Sequence, residues 1–131
     1  MSDVLKVAKK VVEELSDYNA ILAFYPEFEL RELEDMKIVV IPVGSQYKTL
    51  SRNTCEEKLY VQIGILKRCS ENEITKLLSF VESIGLKFLN KKFDDAMCVC
   101  ITYNPIYSSE HLRERSQFTS VIELVFKIFS T

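Results

Sequence analysis

Apolar residues recur at Val4, Val7, Ala8, Val11, Val12 and Leu15, with lysines and glutamates between them. That 3.6-residue period predicts an amphipathic helix with one buried stripe. Ser2 or Asp3 is placed to cap it, and it is expected to end between Ser16 and Asn19. The period changes to two in the next segment, AILAFYPEFELRELEDM, where Phe28 and Leu30 alternate with Glu27 and Glu29. This predicts a strand with one wet face, at a sheet edge because Pro26 has no N–H to give a ladder. MKIVVIPV follows as a continuous β-branched run closed by Pro42 and Gly44; such a run implies a short strand covered on both faces.

The strongest pattern spans Lys58 to Gly85. In KLYVQIGILKRC, Leu59, Val61, Ile63 and Ile65 fall on one face and Tyr60, Gln62, Gly64 and Leu66 on the other, which predicts an interior strand. Ser70 and Glu73 have capping-box spacing. Ile74, Leu77, Leu78, Val81 and Ile84 then form a helical stripe ending at Gly85, a residue suited to a left-handed stop. LKFLN reads as a brief apolar strand and NKKFDDA as a charged turn. MCVCITYN places Cys98, Cys100 and Thr102 opposite Val99, Ile101 and Tyr103, with Asn104-Pro105 as its end signal. FTSVIELVFKIF closes the chain with Phe118, Ile122, Leu124, Phe126 and Ile128 on one face and Val121, Glu123, Val125 and Lys127 on the other. Two polar connections stand out. GSQYKTLSRNTCEE, residues 44–57, is far longer than a tight hairpin and reads as a functional loop, and PIYSSEHLRERSQ separates the last two strands.

Strands that follow one another without helices favour antiparallel pairing. The expected architecture is one α+β domain spanning residues 1–131, in two layers, with a mostly antiparallel or mixed sheet covered by two helices. At 131 residues the chain is long enough to bury a core without staples. A 47% hydrophobic and 27% charged composition is that of a folded domain. The net charge of −2 supplies no field to recruit nucleic acid or anionic lipid, so no specific nucleic acid is expected as a partner. No apolar run is long enough to span a membrane, and the charged N-terminal stretch lacks the apolar core of a signal peptide; no membrane partner and a cytoplasmic site of action are expected.

Candidate chemistry is sparse. Cys55, Cys69, Cys98 and Cys100 lack the spacing and histidine company of a zinc site and are expected as reduced, buried thiols. His111, the only histidine, lies in a polar connection beside Glu110 and Arg113, where a solvated role outweighs that of a general base. Gly44, Gly64 and Gly85 form neither a P-loop nor a dinucleotide fingerprint. The acidic cluster Glu27, Glu29, Glu32, Glu34 and Asp35 reads as a solvated turn. Most of the tyrosines and phenylalanines sit at strand positions consistent with a core, which outweighs a base-stacking platform. No catalytic, metal or cofactor residue is assigned, and a non-enzyme is expected. A small hydrolase or ligand-binding domain is the competing class.

Taken together, FYPEFELRELEDMKIVVIPVG, the SRNT segment, KLYVQIGILKR and TYNPIYSSEHLRERSQFTSVIELVFKIF resemble small phage and prophage proteins that terminate the tail or join head to tail. The resemblance runs from about residue 20 to the end and rests on structural motifs. It implies a virion subunit that forms a ring with copies of itself, often a hexamer. Such a ring caps the tail tube protein, ends its polymerisation and meets the head-tail connector protein. Assembly would occur in the host bacterium's cytoplasm and the final location would be the virion tail; a head-side neck adaptor is the neighbouring alternative. By the same resemblance Tyr47, Lys48, Ser51 and Arg52 are candidate contact residues of the first polar connection, and Tyr107, Arg113 and Arg115 of the second. Arg52 has a plainer alternative, a surface ion pair with Glu56 or Glu57.

Overall fold

Leu59, Val61, Ile63 and Ile65 are each no more than 1% exposed, and they line the middle of the strand about which the sheet is built. The computed structural model describes residues 3–24 and 36–130. Its strands are β1 (Ile21–Leu22), β2 (Lys37–Ser51), β3 (Thr54–Arg68), β4 (Lys92–Phe93), β5 (Ala96–Tyr103) and β6 (Gln117–Ser130). They form one sheet in the order β1-β2-β3-β6-β5-β4. β1 runs parallel to β2 and the other pairs are antiparallel, so the sheet is mixed as expected. The strand proposed around Phe28 and Leu30, the cluster from Glu27 to Asp35 and the cap position Ser2 lie outside the described residues.

Helices α1 (Asp3–Glu14) and α2 (Ile74–Leu86) cover one face. Val7, Ala8, Val11 and Leu15 meet the odd-numbered side chains of β3 and Ile38 and Val40 of β2, while Leu77, Val81 and Ile84 join Phe118, Ile122, Leu124 and Phe126 of β6 in the same core. Each such aliphatic or aromatic side chain removed from water contributes about 1.5–3 kcal/mol. A second cluster of Val39, Ile41 and Leu66, with Ala23 against it, lies on the opposite face. Cover on both faces at IVVI is therefore present. The α+β architecture and both predicted helical stripes hold; a third helix, α3 (Ser109–Arg115), is additional.

Several local expectations do not hold. Residues 44–57 are no loop: β2 continues past Gly44, and β2 and β3 close over Arg52 and Asn53, with Ser51 paired to Thr54. Pro42 and Gly44 flank a one-residue register shift, so they bend the strand where termination was expected. α2 runs through Gly85, and no described glycine has a positive φ. Gly85 is small for another reason: a Cβ there would collide with the Tyr103 ring, whose hydroxyl donates to the Glu82 carbonyl at 3.0 Å. The Ser70 side chain makes no cap bond; the Glu73 carboxylate instead accepts from Lys67 Nζ at 2.8 Å.

The short strand expected at LKFLN lies at Lys92–Phe93, and Phe88 is instead fully buried in the turn after α2. A register shift between Cys98 and Cys100 breaks the alternation of β5. Cys98 therefore points into the core, Ile101 and Tyr103 also pack against it, and Cys100 is exposed. The expectation of four buried thiols holds for Cys69 and Cys98 and fails for Cys100, with Cys55 in between; all four are free. Burial pushes the Cys98 thiol up to about 11.

Candidate interaction surfaces

Beyond Gly44, β2 leaves the core. From Ser45 to Ser51 every residue but Leu50 is polar or tyrosine, so neither face of this stretch has an apolar stripe to fold inward, and both faces, Leu50 included, are exposed. The result is an arm built of β2, β3 and β6, the last reaching Ser130 opposite Cys55. Tyr47, Lys48, Ser51 and Arg52 all lie on it and all are exposed, Tyr47 at 67%. Tyr47 sits on the helix-side face opposite Glu57, whereas Lys48 sits on the other face opposite Glu56. Arg52 occupies the turn and has no ion pair among the described residues, so the alternative of a bridge to Glu56 or Glu57 is not realised.

Side-chain pairs across the strands stiffen the arm. The Tyr47 hydroxyl is held above its usual range, first by its hydrogen bond to the Glu57 carboxylate and then by that group's charge. Glu57 is only 7% exposed. On the opposite face Lys127 Nζ lies 3.0 Å from Glu56 Oε1. That contact with Lys127 lowers the Glu56 carboxyl below its ordinary range, burial works against it, and the charges of Lys127, Lys58 and Lys48 add to the lowering. Tyr60 donates its hydroxyl to Gln46 Oε1 at 3.1 Å. The roles of Glu56, Glu57 and Lys127 were missed in the sequence reading; the cross-strand register that pairs them depends on recognising β2 to its full length.

The second candidate set is carried by α3. Ser108 caps this helix, its hydroxyl accepting from the His111 N–H at 3.3 Å, and Ser116 ends it in the left-handed region. Tyr107, at 39% exposure, precedes the helix, and Arg113 and Arg115 occupy its exposed last turn, where cations favour the helix dipole. His111 is half-buried, unlike the solvated role expected, with Nδ1 2.8 Å from Thr119 Oγ1. Gln117 Nε2 donates to the same oxygen at 2.8 Å. Both partners are nearly inaccessible, so the cluster ties α3 to β6 and offers no nucleophile to a substrate.

The two sets are not brought together. The turn at Arg52 adjoins the start of β3, whereas α3 precedes the first residues of β6, which pair with the end of β3 at Arg68. At ~3.3 Å per residue those ends are roughly 46 Å apart along the strand. Two shallow depressions accompany them. One, of about 240 Å³, lies between α1 and the β4–β5 turn, among Lys6, Lys9, Lys10, Glu13, Phe93 and Asp94. The other, of about 220 Å³, lies on the sheet face away from the helices, beside Tyr60, Gln62, Thr102 and Glu123. Among the described residues no group of three His, Cys, Asp or Glu side chains is arranged to hold a metal, and no helix is long and apolar enough to cross a membrane. No protein-family model matches the chain, and no curated protein sequence matches it significantly.

Proposed function

We propose that the protein is a virion structural subunit that assembles into a ring, most simply a hexamer, on the end of a phage tail tube. There it stops tube growth and joins the tail to the head connector. The observation that carries this reading is the separation of the two contact sets to opposite ends of one sheet. A subunit placed between tube and connector needs two unlike docking ends on a body that does not bend between them. Here the arm with Tyr47, Lys48, Ser51 and Arg52 and the end with Tyr107, Arg113 and Arg115 are joined by 15-residue β3 running unbroken through the core. A head-to-tail ring further needs two different lateral patches, with closure set by the rotation between them.

The test is the purified chain in native mass spectrometry and negative-stain microscopy, alone and with tail tubes, together with particles lacking its gene. Ring-sized assemblies and overlong tubes in the deletion particles are expected. A monomer that also ignores tail tubes refutes the reading, and normal tails beside unjoined heads move the subunit to the head-side neck.

A further inference from the structure

Among the described residues both lateral margins of the sheet end in backbone that no strand covers. β1 covers β2 only at Val39 and Val40, with the Val40 carbonyl accepting from the Ala23 N–H at 2.9 Å. Counting outward-facing residues in twos from Val40, across the one-residue insertion after Pro42, brings the backbones of Ser45, Tyr47 and Thr49 to the outer edge. On the other margin β4 and the preceding turn occupy β5 only as far as Cys98, whose N–H and carbonyl bond Lys91 and Asn90 at 2.9 and 3.0 Å. The Asn104 N–H is turned inward to Val121 at 2.9 Å, so Ile101 and Tyr103 face outward. Among the described residues neither stretch has a pairing partner. Lys48 is the only charge on the outer strand between Gly44 and Ser51, and natural sheets blunt free edges more heavily than this.

We infer that the outer edge of β2 in one copy pairs antiparallel with the outer edge of β5 in the next, with Tyr47 opposite Ile101 and Ser45 opposite Tyr103. This rests on the ring of the preceding section and names its lateral contact. Three features select that pairing. β2 and β5 run in opposite directions within the sheet, so a repeat of β2-β3-β6-β5 keeps every junction antiparallel. Tyr47 and Ile101 both belong to the helix-side face, where an aromatic and a β-branched side chain make a favourable cross-strand pair.

The third feature is the offset. Through the ladder Ile101 is level with Val61 and Tyr47 with Glu57, a step of four residues along β3 for four strands. One residue per strand is the ratio that closes an eight-stranded barrel at a tilt of about 36°. With β3, α2 and β5 connected in the right-handed sense that such crossovers take, the step curls the sheet with its helix-free face inward. Pairing stops where Cys98 is already occupied, which falls opposite Leu50, the residue at the second register shift of β2.

In this register Lys48 stands opposite Cys100 of the next copy in a non-hydrogen-bonded pair, with Cα atoms about 4.5 Å apart, a separation a disulfide spans. The full chain carrying Lys48→Cys, oxidised by oxidised glutathione, is expected to give a ladder of covalent oligomers on a non-reducing gel. Adding Cys100→Ser should abolish that ladder. No ladder from a protein whose native mass is still ring-sized overturns the pairing and leaves the ring reading standing, whereas a monomeric wild-type protein overturns both. A covalent dimer that persists in the double variant shows two β2 edges paired about a two-fold axis and also overturns it. Independently, Ser45→Pro removes an outward N–H within the paired stretch and is expected to abolish assembly without unfolding the chain. Thr49→Pro, on the same edge but opposite the Val99 insertion that interrupts β5, should weaken assembly less, and equal effects of the two prolines would count against the pairing.

Discussion

Substituting Gly85 by alanine in the last turn of α2 sets two effects of known size against each other. Helix propensity alone favours alanine by up to about 1 kcal/mol. In this protein the added Cβ meets the hydroxyl and two ring carbons of Tyr103, and the ring cannot retreat without giving up its bond to the Glu82 carbonyl. Overpacking costs about 1–3 kcal/mol, and a hydrogen bond of this kind about 1 kcal/mol. Gly85→Ala is therefore expected to destabilise the fold by about 1–3 kcal/mol, a fall in Tm of several degrees for a domain of this size. The informative assay is a double-mutant cycle by urea denaturation. In a Tyr103→Ala background the obstruction is gone, and Gly85→Ala should become stabilising by up to about 1 kcal/mol. The change of sign is the diagnostic result. A stabilising Gly85→Ala in the wild-type background, or the same effect in both backgrounds, refutes the account of why this helix carries glycine there.

Three further outcomes follow from the polar pairs and the arm. Glu56 and Glu73 have folded carboxyl pKa values lowered from an ordinary 4.5 by Lys127 and Lys67 respectively. The stability they contribute is complete above that value and lost as pH falls through the lowered folded values; Glu56→Gln with Glu73→Gln should flatten the acid limb of a Tm-against-pH curve. Arg52→Ala should lower assembly in native mass spectrometry while leaving Tm nearly unchanged, since Arg52 bonds nothing within the described fold; a large fall in Tm would make the residue structural. Iodoacetamide should label exposed Cys100 in the native protein and leave Cys98 unmodified until unfolding, because Cys98 is buried and its pKa stands at about 11; peptide mass mapping separates the two.

The core was readable from residue pattern because burial imposes contrast. The inward residues of α1, α2, β3 and β6 are apolar and their outward neighbours largely polar, so the period alone identifies element and face. The arm was not readable for the opposite reason. From Ser45 to Ser51 both faces meet water, alternation carries no contrast, and Pro42 with Gly44 imitates a strand end where the chain makes a bulge. The same limit hid the insertion at Val99, which reverses the facing of Cys98 relative to Ile101 and Tyr103. The seven-residue α3 is too short to display a period; its only local signal is a serine at the cap. The candidate contact residues do not lie in loops as expected: Tyr47, Lys48 and Ser51 are on β2, Arg52 is in its tight turn to β3, Tyr107 precedes α3, and Arg113 and Arg115 occupy the last turn of that helix.

β3 and β6 serve at once as the floor beneath the helices and as the spine of the projection. The projection is thus a cantilever rather than a hinged flap, and a load applied at Arg52 passes down the ladder to the layer under α1. A neighbour that grips the tip is thereby sensitive to whether the body is folded, because a tip detached from that floor would lose its rigidity. In the ring proposed above, only a fully formed subunit would present the shape that a neighbour can hold, and correct folding would then be a condition of incorporation.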